Sequence, residues 1–316
     1  MPSETAVKEY RIERLSEDNL SALEELHSAV YGRKPIPGYF QKKYDTGYTG
    51  VAFVGYVAYN PDNTVVAYYG VMPCLIRYGD TTILAAQSGD TMTHPLFRYK
   101  GMFVDLSRMT FDLCRSEGIK LLFGFPNQNS YHGAITKLGW KQTETMECFI
   151  IPVPTLAIAA AVRRFQWLQG IYRRYSKAVT GKRTQAAREM PNSVLNDGYN
   201  GIWRSKRYMQ YRSYSDNRIL QIGNALVWLK IETDMVIGDL VVTDAAFDSI
   251  IASLRRMAAW LGIRRILFQT CPGTRLHRLL AGRFPGTSSF PVLFQDFDSG
   301  LSLETIKFTF ADIDIF

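Results

Sequence analysis

Over its first 150 or so residues (about one domain's worth) the chain switches repeatedly between two hydrophobic periods. That alternation limits the fold to a sheet that carries helices. Residues 10–15 and 143–153 alternate with period 2, as strands do, whereas Leu20, Leu23, Leu26 and Val30 recur at helical spacing up to Gly32. Two further strand patterns, 51–59 and 65–78, flank Pro61-Asp62-Asn63, a hairpin signal, and Gly79-Asp80 leads into another over 81–93. Residues 102–115 read as an amphipathic helix, with Met102, Leu106, Met109 and Leu113 on one face and Asp105, Arg108, Asp112 and Arg115 on the other; Gly118 stops it. Residues 38–44 predict a short helix, 120–125 a buried strand, and Asn129 or Ser130 the cap of a helix reaching Leu138. The expected order, β-α-(α)-β-β-β-α-β-α-β, is a mixed central sheet flanked by helices, in the α/β class.

Pro152 and Pro154 mark a boundary, after which 155–190 read as helix and then polar loop. Beyond residue 196 the pattern partly repeats, with a helix at 247–261, a strand at 265–270, a helix at 274–280 and a last strand at 307–310. Gly118-Ile119-Lys120 precedes Trp140 by 22 positions, and Gly262-Ile263-Arg264 precedes Phe284 by the same 22. The matching spacing predicts a second, related α/β domain. The expected organisation is therefore 1–153, a basic helical linker over 154–195, and a second domain over 196–316.

At 47% hydrophobic and 21% charged, 316 residues are ample for buried cores, which excludes wholesale disorder. The four cysteines (Cys74, Cys114, Cys148, Cys271) form no C-x-x-C pair, which predicts reduced thiols in a cytoplasmic setting and no zinc ribbon. The polar first thirty residues carry no secretory pattern, and no run of 18 apolar residues spans a membrane, so a soluble intracellular protein is expected. The net charge of +8 resides in one stretch: Arg163, Arg164, Arg173, Arg174, Lys177, Lys182, Arg183 and Arg188, with no acid among them. No helix-turn-helix, zinc-finger or ribonucleoprotein motif accompanies it, so DNA is not an expected partner. Segment 163–188 has three readings: a solvated linker helix, which is favoured, a membrane-surface helix, and a docking site for an acidic partner.

Chemistry concentrates in Thr93-His94-Pro95-Leu96-Phe97-Arg98-Tyr99-Lys100-Gly101-Met102, between a strand and an amphipathic helix. The free N–H groups of a first helical turn, at the positive end of the helix dipole, favour an anion, and Gly101 permits close approach. With Arg98 and Lys100 beside it, the turn suits a phosphate or pyrophosphate; an ordinary basic surface loop is the alternative.

This run resembles the V-x-P-x-x-R-G-x-G-x signature of the GNAT superfamily of N-acetyltransferases. The strand at 121–125, Pro126-Asn127 and the terminal Leu138-Gly139-Trp140 stand where that family's next elements stand, so the resemblance covers about residues 8–153. It implies the acyl-CoA N-acyltransferase fold, with acetyl-CoA as cosubstrate. By the family's pattern, Arg98, Tyr99, Lys100, Gly101, Met102 and Phe103 would supply pyrophosphate amides. The backbone of Thr91, Met92 and Thr93 would pair with the pantetheine arm, and Asn127 would touch the cofactor where two strands splay. The sequence departs from the pattern at Tyr99, where the family has glycine, and at Phe103, where it has glycine or alanine. The family's usual tyrosine acid falls on Ile135, and Tyr131, one turn earlier, is the candidate substitute. Asp90 is the favoured base for the acceptor amine, ahead of Glu144, Glu147, Asp312 and Asp314, while His94 reads as a packing or surface residue.

The second half has Thr243-Asp244-Ala245-Ala246 where a phosphate turn would stand, so a degenerate domain there would shape the acceptor site without binding cofactor. The expected reaction is acetyl transfer from acetyl-CoA to a primary amine of a small molecule, with an amino sugar among the candidates. The rivals are a tandem-domain aminoacyl or peptidyl transferase and a non-catalytic binding protein that kept the fold.

Overall fold

The β-branched and aromatic runs near the start of the chain form strands in the computed structural model, which describes residues 10–181, 183–185 and 190–316. Lys182 and Arg188 of the basic segment lie outside the described residues. Residues group into two units, each discontinuous in sequence. The first is Met1–Ile76, Asp80–Thr143 and Pro291–Leu303; the second is Arg77–Gly79, Glu144–Phe290 and Glu304–Phe316.

In the first unit, β1 (Arg11–Arg14) leads through α1 (Leu20–Tyr31) and α2 (Tyr39–Tyr44) to β2 (Val54–Tyr59), β3 (Val65–Tyr78) and β4 (Thr81–Thr93). Helix α3 (Met102–Ser116), β5 (Leu121–Gly124) and α4 (Gln128–Leu138) follow. The sheet order is β1-β2-β3-β4-β5, with β1 and β3 both antiparallel to β2 and β5 parallel to β4. Its last position is taken by residues 291–296, the end of strand 286–296, which runs antiparallel to β5 with Leu293 opposite Gly124.

The expected element order is the observed one, with three local corrections. The cap of α4 is Asn127, whose side chain accepts from the N–H groups of Asn129 and Ser130, because it alone precedes both orphan donors. The buried stripe of α3 is Met102, Leu106, Thr110 and Cys114 with Ser107 and Phe111, so Met109 and Leu113 flank it rather than centre it. The Ser107 and Thr110 hydroxyls donate to the carbonyls of Phe103 and Leu106, which lets polar side chains enter the core. Asp105, expected on the solvent face, is buried as well.

In the second unit β6 (Lys141–Pro152) is followed by α5 (Ile158–Arg164), α6 (Gln166–Gly181), β7 (Thr184–Gln185), α7 (Ser193–Asn196), β8 (Gly201–Ile202) and α8 (Lys206–Tyr211). Strands β9 (Asn217–Ile222), β10 (Ala225–Ile231) and β11 (Met235–Val241) precede α9 (Phe247–Trp260), β12 (Arg265–Thr270), α10 (Arg275–Ala281) and β13 (Gly286–Asp296). The sheet runs β6-β12-β11-β10-β9-β7, with β12 antiparallel to β6 and parallel to β11.

Phe149 of β6 lies opposite Phe268 of β12, as Leu293 of β13 lies opposite Gly124 of β5. Positions 124 and 268 differ by 144, and so do 149 and 293. Each unit therefore places its incoming strand in the same register.

The expected last strand, 307–310, is not one. Isolated bridges join Asn200 to Ile306 and Thr270 to Thr309, and a 3-10 turn spans Phe310–Asp312. Fully buried Arg204 holds this segment, pairing with Asp239 and, at 2.9 Å, with Asp312. Both Asp312 oxygens are spoken for, so Asp312 does not enter a cleft as a base.

Candidate functional site

Pairing between β4 and β5 runs from Ala86–Leu122 to Ser88–Gly124 and stops there, while β4 continues to Thr93. Two residues past the last pair, Asp90 takes a left-handed backbone (φ +51°), a region that aspartate tolerates better than most residues. The stretch Thr91, Met92 and Thr93 thus runs on past the end of β5, and Met92 anchors it in the core. Asn127 stands exposed beyond β5 with its oxygen engaged in capping α4.

The basic turn follows directly. Pro95–Phe97 makes one 3-10 turn, and His94 is a cap: its Nδ1 accepts from the Leu96 N–H at 3.3 Å, and its ring meets Phe97 edge-on. Tyr99 (φ +67°) and Gly101 (φ +84°) are both left-handed. Glycine adopts that conformation freely, so the family's glycine at position 99 has a conformational reason that Tyr99 must meet under strain. The Tyr99 ring projects fully into solvent.

The Gly101 carbonyl accepts from Val104 and Asp105, which opens α3. Among the described residues nothing accepts the amide N–H groups of Tyr99 through Phe103. The Arg98 side chain is exposed and without a partner among them, and the Lys100 ammonium lies 5.1 Å over the Phe97 ring. Phe103 points inward: its ring is 6.1 Å from that of Tyr69 and within 3.0 Å of where a Cβ on Gly133 would sit. Neither ring therefore covers the orphan amides. A Cβ on Gly101 would lie 3.6 Å from Asp105 Oδ2. Asp105 is the acidic residue of this first turn, where the helix dipole favours a carboxylate as it favours a phosphate.

Asp90 is bound on both sides. Lys43 Nζ lies 2.6 Å from its Oδ2, with the lysine side chain wholly buried, and the Tyr44 hydroxyl donates to the same oxygen at 3.1 Å. Burial, reinforced by the Asp90 charge, pushes the Tyr44 hydroxyl far above the usual tyrosine range, so it stays a donor. Burial raises Tyr68 likewise; its ring meets Tyr44 edge-on at 5.5 Å. Sequence reading missed Lys43. The signal was present in Phe40, Lys43 and Tyr44, which share one face of a short helix and put a lysine on its apolar stripe.

Tyr131 packs half-buried against the core, and its hydroxyl donates to Gln142 Oε1 at 2.7 Å; Ile135 packs against the same core one turn later. Asp90 and Tyr131 thus both have polar partners. Glu144 pairs with Lys307 at 2.7 Å, and Glu147 lies 3.1 Å from His277.

The Acetyltransferase (GNAT) domain family matches residues 11–143. No curated protein matches the sequence. Among solved structures, a GCN5-related N-acetyltransferase from Kribbella flavida aligns with a TM-score of 0.56 at 15% identity, over 93% of this chain and 73% of that one. A GCN5-related N-acetyltransferase from Anabaena variabilis ATCC 29413 aligns at 0.56 and 14%, over 91% and 72%. A conserved protein of unknown function from Enterococcus faecalis V583 gives 0.60 at 11%, over 92% and 73%. At such identities the likeness is one of fold, and it extends over both units. These matches give residues 11–143 a likeness to the Acetyltransferase (GNAT) domain family, and the chain as a whole the fold of solved GCN5-related N-acetyltransferases.

Proposed function

We propose that the first unit transfers an acetyl group from acetyl-CoA to a primary amine of a small molecule. The observation that carries this reading is the glycine-capped start of α3, where consecutive amides lack acceptors beside two cationic side chains. The residues present fit a pyrophosphate there: the amides have no acceptor of their own, a side chain at Gly101 would meet only Asp105, and Phe103 is turned toward Tyr69. Tyr99, Lys100, Gly101, Met102 and Phe103 would bind it through N–H groups, and Arg98 would add charge. Thr91, Met92 and Thr93 would pair with the cofactor's arm as an added strand, with Asn127 at the mouth of the splay.

Bound acetyl-CoA supplies an activated thioester. The chain's own part is then chiefly positioning. A backbone N–H on the β4 edge would polarise the thioester carbonyl. Asp90, fixed by Lys43 and Tyr44, would orient the amine and accept its proton, and Tyr131 would return a proton to the leaving thiolate once its hydroxyl turns from Gln142. The second unit would be a related domain without a cofactor site that shapes the acceptor pocket, an amino sugar being one acceptor class. Four free cysteines support a reducing, cytoplasmic compartment.

Release of free CoA thiol from acetyl-CoA, followed over a panel of primary amines that includes amino sugars, tests the reading. Turnover with at least one amine supports it. Tight acetyl-CoA binding without turnover on any amine would support the rival, a non-catalytic binding protein, which the engaged side chains of Asp90 and Tyr131 favour.

A further inference from the structure

We infer that the outer face of α5 and α6 docks on an anionic lipid surface. The inner face of α6 is settled: Tyr172 and Val179 pack on the core of the second unit, and Arg218 donates to the Thr180 and Ser176 hydroxyls. The outer face carries Trp167, Ile171 and Tyr175 at intervals of four, one continuous stripe, each between 45% and 73% exposed. The stripe extends over the turn after α9. The Tyr175 hydroxyl donates to the Trp260 carbonyl, Ile158 packs on Gly262, and Trp260 and Ile158 are themselves exposed.

Arg163, Arg164, Arg173, Arg174 and Lys177 all stand exposed along the same two helices, and residues 155–181 contain no aspartate or glutamate. A solvated linker helix would place polar residues where Trp167 and Ile171 stand. A second copy of the chain would bring five cations against five. A polynucleotide would satisfy the charge and leave the aliphatic side chains uncovered. An anionic bilayer matches both features: phosphates at the headgroup level meet the arginines, and tryptophan, tyrosine and isoleucine enter the acyl boundary. This surface shares no residue with the transferase site and stands whether or not that reading does.

The test uses the full chain with vesicles of phosphatidylcholine alone and of phosphatidylcholine mixed with phosphatidylglycerol. The chain should float with the mixed vesicles at least about tenfold more strongly, and salt should weaken the binding. Acyl chains carrying bromine should quench its tryptophan emission, and Trp167→Ala with Ile171→Ser should remove most of that quenching. Arg173→Gln with Arg174→Gln should lower partitioning about 25-fold, from two headgroup-level charges. All four positions are exposed, so melting temperatures should not move. No preference for the mixed vesicles, or binding to single-stranded polynucleotide as strong as to vesicles with no bromine quenching, overturns the inference.

Discussion

The Lys43 ammonium lies 2.6 Å from the Asp90 carboxylate, and of the two only the carboxylate reaches solvent, at 18% exposure against 0%. The pair pins the left-handed residue just past the end of the β4–β5 pairing. The two partners are therefore unequal in what their loss exposes. Asp90→Asn leaves a wholly buried ammonium without a counter-charge and should cost about 3–5 kcal/mol. Lys43→Met leaves a carboxylate that still touches water and the Tyr44 hydroxyl, and should cost less. Denaturant unfolding of both variants decides it; equal losses would contradict the asymmetry.

The two departures from the family pattern should behave oppositely. Tyr99→Gly relieves a left-handed backbone and removes a ring that stands in solvent, and it should stabilise by about 1 kcal/mol. Phe103→Ala empties a half-buried ring site against Tyr69 and Gly133 and should destabilise by about 2–3 kcal/mol. Neither should change acetyl-CoA affinity by more than about threefold, a difference of well under 1 kcal/mol. Calorimetric melting with titration of each variant checks both statements.

For Tyr131→Phe, kcat should fall about 10- to 100-fold while the acetyl-CoA dissociation constant stays unchanged, because the hydroxyl is assigned to proton return and not to binding. An unchanged kcat would assign the proton to solvent. The packing contribution is kept by the phenyl ring, so the fold should be unaffected.

Much of the first unit was legible because its strands and helices carry their own turn signals: Gly32, Gly79, Gly118 and Gly139 all take left-handed backbones where the pattern places breaks. What was not legible depends on tertiary contacts. Asp105 sits on the polar side of a helical wheel yet is buried, because α3 is covered on more than one face. The 307–310 stretch alternates like a strand, but Arg204 pairs with Asp312 and the Asp312 carboxylate caps Thr309, which turns the chain into a 3-10 turn. Strands β9 to β11 lie outside the repeated block that signals a second domain, although Gly223 and Asp234 mark their turns. The turn at 98–101 was legible as the glycine-bearing start of a helix, whereas Lys43 becomes visible only when β4 brings Asp90 beside it.

The thiols should differ sharply in reactivity. Burial pushes Cys114 up to about 12 and Cys271 further above the usual thiol range, whereas Cys148 is raised less and is half-buried. The reactive species is the thiolate, so iodoacetamide near pH 8 should label Cys148 ahead of Cys114 and Cys271, which should need denaturant. Mass-spectrometric mapping of the labelled sites tests the order; early labelling of Cys114 would contradict it.

The most direct test of the transferase site is isothermal titration of the chain with acetyl-CoA, beside a Gly101→Asp variant. Aspartate tolerates a left-handed backbone better than most residues, so the substitution should cost about 1 kcal/mol of fold stability, and it places a carboxylate at the start of α3 beside the one that Asp105 already brings. Binding by the parent, with at least a hundredfold loss in a variant that still melts cooperatively well above the titration temperature, is the expected result; it corresponds to about 2.7 kcal/mol of lost anion binding. No heat from a folded parent, or equal affinity in the two proteins, would show that the start of α3 holds no pyrophosphate.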